Sequence, residues 1–376
     1  MMATAGVLLA AFGALYSNCA WWLLRRWRET PSVPVAWRPP VSVLKPLCGS
    51  EPNLRECLLS FLRQSYPDLQ IVFGVRDASD PAIEVVEQLR GQFPERDVEV
   101  VVDGRLHGEN PKASNLINML PHARHPVVLI SDSDVRVADG YVDAVVQALA
   151  PRDVGAVTCL YRGRGGSGLW SRIAALFIND WYFSAVLISQ ALGDRSFASG
   201  ATIALRRETL QAIGGFESIS DHLADDWVLC DRVRAIGQRT VLCPFVVETE
   251  IGEESFRANA GRELRWMRTI RTVAPMGYAF MGLSMPLPVV LLGVGLAGAS
   301  GWALALAALA LVARVGIHLE QRRRSGEAPI HDLLLIPLRD ALLLAVWVGG
   351  FLGRSVDWRG RRYRLESGGS LSPIDG

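Results

Sequence analysis

Three groups of carboxylates and one pair of arginines carry the side chains of this chain best placed to do chemistry. Asp77 and Asp80 follow an apolar run at 70–75. Carboxylates at the carboxyl end of a strand can accept hydrogen bonds from the base or ribose of a nucleoside. An ordinary Asp-rich turn that caps a helix has the same composition. Asp132 and Asp134 flank Ser133 and follow a second apolar run at 127–130. Alternate residues of an extended chain share a side, so both carboxylates can face one hard cation such as Mg²⁺ or Mn²⁺. Waters and substrate phosphates would complete its shell; a solvated acidic turn is the plainer alternative. Asp225 and Asp226 stand side by side before Trp227, where a carboxylate can take a proton from an attacking hydroxyl or simply cap a helix. Arg262 and Arg265 share a helix face with Trp266 beside them. Two guanidiniums there can neutralise a diphosphate, and an indole can pack on an acceptor. With Arg268 and Arg271 close by, a basic helix against anionic lipid is the alternative.

These residues need a frame. Short apolar runs at 41–44, 70–75, 98–102 and 127–130 read as strands, and apolar residues at helical spacing over 54–64, 81–92 and 113–120 read as helices between them. Strands alternating with helices predict an α/β domain built on a mostly parallel sheet. The carboxylates then fall at strand ends, where open α/β sheets bind ligands.

The flanks have a different character. Residues 1–24 carry no charge and are long enough to cross a bilayer, which needs about 20 apolar residues. Arg25, Arg26 and Arg28, with Trp21, Trp22 and Trp27, mark the cytoplasmic end of an uncleaved anchor. A Pro-rich linker fills 25–40. The globular domain spans 41–274. No charge occurs from Thr272 to Ala313, so 275–320 reads as a transmembrane hairpin that returns to a cytoplasmic loop at 321–329, marked by Arg322, Arg323 and Arg324. The apolar segment at 330–353 is interrupted by Asp332, Arg339 and Asp340. We expect it to be re-entrant or interfacial rather than transmembrane, because a crossing would leave the basic tail at 354–376 outside.

Composition narrows the classes. Half of the 376 residues are hydrophobic, and the net charge of +1 gives no basic field for nucleic acid. Six scattered cysteines without a C-x-x-C pair read as reduced thiols in a cytoplasmic setting.

The order of these motifs resembles the inverting GT-A glycosyltransferases, and most closely the ceramide glucosyltransferases and the bacterial hopanoid-associated glycosyltransferases. Their pattern of D, D-x-D, (E/D)D and (Q/R)-x-x-R-W stands here as Asp77/Asp80, Asp132-Ser133-Asp134, Asp225-Asp226 and Arg262…Arg265-Trp266. Leu44-Lys45-Pro46-Leu47 and Gly108…Asn110-Pro111-Lys112…Asn115 match as well. The resemblance implies a Rossmann-like GT-A domain with N- and C-terminal transmembrane helices. It further implies a multi-pass protein of the cell inner membrane whose catalytic domain is cytoplasmic. It assigns Asp77, Asp80, Lys112, Asp132, Arg262 and Arg265 to a UDP-sugar, and Asp132 and Asp134 to Mg²⁺ or Mn²⁺. Asp226 is the implied general base, and Trp266 faces a lipid acceptor in the bilayer. Asp134 stands where ceramide enzymes often have Gly. Arg262 replaces the Gln common in polymer synthases, which favours transfer of one sugar to a lipid over a growing chain. Stretches 105–108, 115–120, 158–163 and 176–181 look more like the hopanoid-associated enzymes. N-acetylglucosamine transfer to a hopanoid polyol is therefore expected, with glucose transfer to ceramide as the alternative. A non-catalytic membrane protein with a degenerate transferase domain is the reading from another class.

Overall fold

The strand Val41–Pro46 is buried along its whole length, as expected of a central strand in a sheet covered on both faces. The computed structural model describes residues 1–29, 37–194, 198–252, 255–326 and 330–374. Residues 30–36 of the predicted linker, and the end of the loop predicted at 321–329, lie outside them. The chain opens with α1 (Met2–Arg26). The alternating series follows: β1 (Val41–Pro46), α2 (Leu54–Leu62), β2 (Leu69–Val75), α3 (Ala82–Gln92), β3 (Asp97–Val102), α4 (Pro111–Met119), β4 (Val127–Ile130), β5 (Val135–Arg136), α5 (Tyr141–Leu149) and β6 (Val154–Gly165). Next come α6 (Leu169–Leu176), a π-helical stretch at Phe177–Tyr182, and α7 (Phe183–Ala191). Then follow β7 (Ile203–Arg206), α8 (Arg207–Ala212), α9 (Asp225–Ala235) and β8 (Arg239–Ile251). The remainder comprises α10 (Phe256–Val273), α11 (Pro275–Met281), α12 (Pro286–Leu296), α13 (Gly301–Ser325), α14 (Ile336–Gly350), β9 (Ser355–Trp358), β10 (Arg361–Leu365) and β11 (Leu371–Pro373).

The chain divides into two compact units. One comprises 28–164, 195–252 and 368–376. It holds an eight-stranded sheet of order β3-β2-β1-β4-β7-β6-β8-β5. β1, β2, β3 and β4 run parallel, whereas β4–β7, β6–β7 and β5–β8 pair antiparallel. Alternation along the strands feeds two cores. Val43, Ile71, Phe73 and Leu129 pack with Phe61 of α2, Leu89 of α3 and Val145 of α5. Leu44, Val72, Val128 and Ile130 pack with Leu116 of α4 and Leu229 of α9. Period-two side chains on buried strands produce this three-layer arrangement. Because β1, β2 and β4 are parallel, Leu47, Asp77 and Asp132 leave the sheet at one edge.

The other unit comprises 1–27, 165–194 and 253–367. Here α1, α12 and α13 approach through small residues. A Cβ on Gly6 would lie 2.4 Å from Ala297 N, and one on Gly293 would lie 2.6 Å from Ala10 N. Among the described residues, four helical stretches are long and apolar enough to cross a membrane: Met2–Arg26, Leu169–Ala191, Gly301–Ser325 and Asp332–Gly350. A fifth, Pro275–Ser284 with Pro286–Leu296, bends by 69°. Two features are visible only in the structure. Residues 165–194 and 253–274 cluster with the apolar helices. The charges inside 330–353 are all paired: Asp332 with Arg172 and Arg322, Arg339 with Glu263, and Asp340 with Arg314.

Candidate active site

β1 places a lysine where an apolar residue would be expected. Lys45 is fully buried. Its Nζ donates to Asp132 O at 2.7 Å and lies 3.8 Å from the centre of the Phe61 ring. Burial lowers its amine to about 8, against the opposing pull of nearby carboxylates. Lys45 thus fixes the turn that carries Asp132 and Asp134. From the other side, Thr249 Oγ1 donates to Asp134 Oδ2 at 2.8 Å, and Glu250 N donates to Asp134 O at 3.0 Å.

The Asp134 carboxyl is raised to about 7, by burial first and then by the charges of Asp132 and Glu51. Negative charge is thus concentrated at this turn, which suits a divalent cation. Among the described residues no three His, Cys, Asp or Glu side chains gather as metal ligands. Asp132 and Asp134 supply two carboxylates at this turn, and hard oxygen donors suit Mg²⁺ or Mn²⁺ completed by phosphate and water.

Lys112 joins this turn to the paired aspartates. Its Nζ lies 2.6 Å from Asp132 Oδ1 and 3.5 Å from Asp225 Oδ2. Burial alone would depress its amine, but the carboxylates of Asp132 and Asp225 hold it above its usual value. Lys112 is set by a capping device. Asn110 Oδ1 accepts from Lys112 N and Ala113 N, with Pro111 opening α4. Asn110 also binds the loop ahead of α9: its N donates to Ser220 O at 2.7 Å and its Nδ2 to His222 O at 2.7 Å. Gly108 permits that approach, since a Cβ there would lie 2.6 Å from Ser220 O. Asn115 ties α4 to β2, donating from Nδ2 to Gly74 O at 2.8 Å.

Asp225 and Asp226 open α9, where the helix dipole favours negative charge. The Asp226 carboxyl is raised to about 6, by burial first and then by the neighbouring charge of Asp225. Trp227 N donates to Asp226 Oδ1 at 2.7 Å. A carboxylate with that affinity for protons suits a general base near neutral pH.

The other predicted residues occupy different settings. Asp77 is exposed and accepts from Ser79 N and Oγ, which lowers its pKa. Asp80 accepts from Gly49 N through both oxygens, at 3.0 and 2.9 Å, and from Ala82 N at 2.9 Å. It brackets the β1–α2 loop to the start of α3. Arg262, Arg265 and Trp266 lie on α10 in the other unit. There the Arg262 guanidinium sits 4.8 Å from the Trp266 ring centre, and Trp266 packs 5.7 Å from Phe177. Glu263, inside the same motif, forms a fully buried bidentate pair with Arg339 at 2.6 and 2.8 Å.

Sequence reasoning gave no role to Lys45, Glu263 or Arg339. Their one signal was a charge embedded in an apolar or motif stretch. Asn110 was matched as a pattern without its role as a clasp.

The family described as glycosyl transferase family 21 matches over residues 5–371. Ceramide glucosyltransferase 3 of Caenorhabditis elegans is 22% identical over 347 residues, covering 89% of this chain and 74% of that protein. Ceramide glucosyltransferase 1 of the same organism is 28% identical over 205 residues, covering 54% of this chain but 44% of that protein. Among solved structures, the mannosyltransferase PcManGT from Pyrobaculum calidifontis, in complex with GDP-Man and Mn2+, superposes with a TM-score of 0.55 at 22% identity. It covers 94% of this chain and 99% of its own, a similarity of GT-A fold.

Proposed function

Because the chain belongs to glycosyl transferase family 21, we propose that it transfers one sugar from a UDP-sugar to a hydroxyl of a membrane lipid, with inversion. The observation that carries this reading is Lys112, whose ammonium bridges Asp132 and Asp225 and so links the diphosphate side to the base side. Asp77, Asp80, Lys112 and Asp132 bind the donor. Asp132 and Asp134 would hold Mg²⁺ or Mn²⁺, which supplies positive charge to the diphosphate when bound. Asp226 takes the proton of the acceptor hydroxyl as its oxygen attacks the anomeric carbon. The bond from that carbon to the diphosphate oxygen breaks, and UDP departs with the electron pair. The resemblance further assigns Arg262 and Arg265 to the departing charge and Trp266 to the acceptor.

The sugar and lipid follow from two sources. The stretches at 105–108, 115–120, 158–163 and 176–181 favour N-acetylglucosamine and a hopanoid polyol. The names of the matched relatives favour glucose and ceramide as the second reading. We place the catalytic unit on the cytoplasmic face of the inner membrane, where nucleotide sugars are made. The deciding experiment incubates membranes containing the protein with UDP-glucose or UDP-N-acetylglucosamine and each lipid, then identifies products by mass spectrometry. Formation of neither glycolipid would refute both readings; hexosyl-ceramide alone would select the second.

A further inference from the structure

Residues 220–223 lead directly into Asp225 and Asp226, and they are gripped on two sides. Asn110 holds Ser220 O and His222 O, as described above, and Glu109 N donates to Asp221 Oδ1 at 2.9 Å. The opposite grip comes from the far end of the chain. Leu223 N donates to Gly369 O at 3.0 Å, Leu371 N donates to Asp221 O at 2.7 Å, and His222 and Ser370 form an antiparallel bridge. Gly368 and Gly369 adopt φ of +76° and +80°, a backbone region natural to glycine, and so turn the chain onto the loop. Leu371 is 5% exposed, which seats the segment by its side chain as well as its backbone.

We propose that residues 368–373 are a strap that positions the general base. This rests on the reading of Asp226 as that base. The carbonyls of Ser220, Asp221 and His222 each accept a bond from one grip or the other, so the approach to α9 has its backbone fixed before the helix starts. Removing the strap frees Asp221 O and Leu223 N together. The base then samples positions away from the reacting hydroxyl, and misplacement on the order of 1 Å costs about 10²-fold in rate. An isolated pair of short strands contributes little stability of its own, so the effect falls on geometry rather than on folding.

Two variants test this: a stop after Ser367, and Leu371→Pro, which removes the N–H donated to Asp221 O. Hydrogen exchange is followed in the peptide covering 219–229, alongside kcat, the KM for UDP-sugar and thermal stability. Both variants are expected to speed exchange at 221–226 and to lower kcat about tenfold or more, with KM for the donor within twofold. Leu371→Ile retains the donor and is expected to retain wild-type exchange and kcat. Unchanged exchange in both variants would overturn the strap. So would a fall in kcat matched by an equal rise in donor KM and a lowered melting temperature, the pattern of general destabilisation. The exchange readout needs no substrate, so an error in the assigned reaction shows up separately, as absent turnover in the wild type with normal strap protection.

Discussion

Gly200 lies directly against the Asp226 carboxylate: a Cβ built on it would stand 3.1 Å from Oδ2. That separation is tighter than ordinary van der Waals contact, so a side chain at 200 must displace the carboxylate or itself. Gly200→Ala is expected to lower kcat several-fold with donor affinity unchanged, and Gly200→Val to lower it further. Steady-state kinetics with nucleotide binding by calorimetry checks this. Equal kcat in all three proteins would show that the carboxylate's position is unimportant.

Asp226→Asn keeps the shape of the side chain but cannot accept the proton. Turnover is expected to fall by about 10²–10⁴-fold while UDP-sugar still binds. Asp225→Asn removes a partner of Lys112 and is expected to weaken donor binding instead. If Asp226→Asn retains substantial turnover and Asp225→Asn does not, the base is Asp225.

The raised pKa of Asp226, about 6, sets an acid limb. A base must be ionised, and a raised pKa holds its proton to higher pH. With Asp226 as the base, activity is expected to be full above about pH 7 and to fall tenfold per unit below about 6. The Lys112 charge lowers the Asp226 pKa. Lys112→Met is expected to move the limb of its residual activity to higher pH. A pH–rate profile that does not shift, or shifts toward acid, would exclude this coupling.

Chelation is expected to abolish turnover, and Mn²⁺ or Mg²⁺ to restore it. Donor binding by wild type should strengthen on adding Mn²⁺, whereas Asp134→Ala should show little such gain. Full turnover in excess chelator would remove the metal assignment from Asp132 and Asp134.

Chain connectivity restricts the membrane path. The segment 253–367 departs from the sheet-bearing unit and returns to it, as does 165–194. Each excursion must make an even number of crossings. Leu169–Ala191 therefore does not cross alone, despite its length and composition. For 253–367, a path that crosses uses two of α12, α13 and α14. A reporter inserted at Arg322–Arg324 is expected to read cytoplasmic, the same side as one placed after Arg28, which selects α12 and α13. An external signal at Arg322–Arg324 would require α14 to cross.

The parallel half of the sheet was legible because continuous apolar runs bounded by turns behave as buried strands. β1, β2, β3, β4 and the helices between them fall where such runs predicted them. The acidic residues were legible as residues but not as a constellation: nothing in their spacing says that Lys112 reaches both Asp132 and Asp225. Asp332, Arg339 and Asp340 were read as breaks in an apolar segment. Periodicity reports the charge of a residue, whereas its cost depends on partners far along the chain, such as Glu263 for Arg339. For the same reason Arg172 and Asp180 hid the apolar character of 169–191.

Those paired charges also impose an order on biogenesis. A charge left without a partner among membrane-embedded helices is costly. α14 carries Arg339 and Asp340 in succession, and their counter-charges, Glu263 and Arg314, come from segments synthesised earlier. Arg314 in turn meets Asp180, made earlier still. Each late segment can thus settle against charges already waiting for it. A ribosome halted before residue 336 would leave Glu263 without its guanidinium.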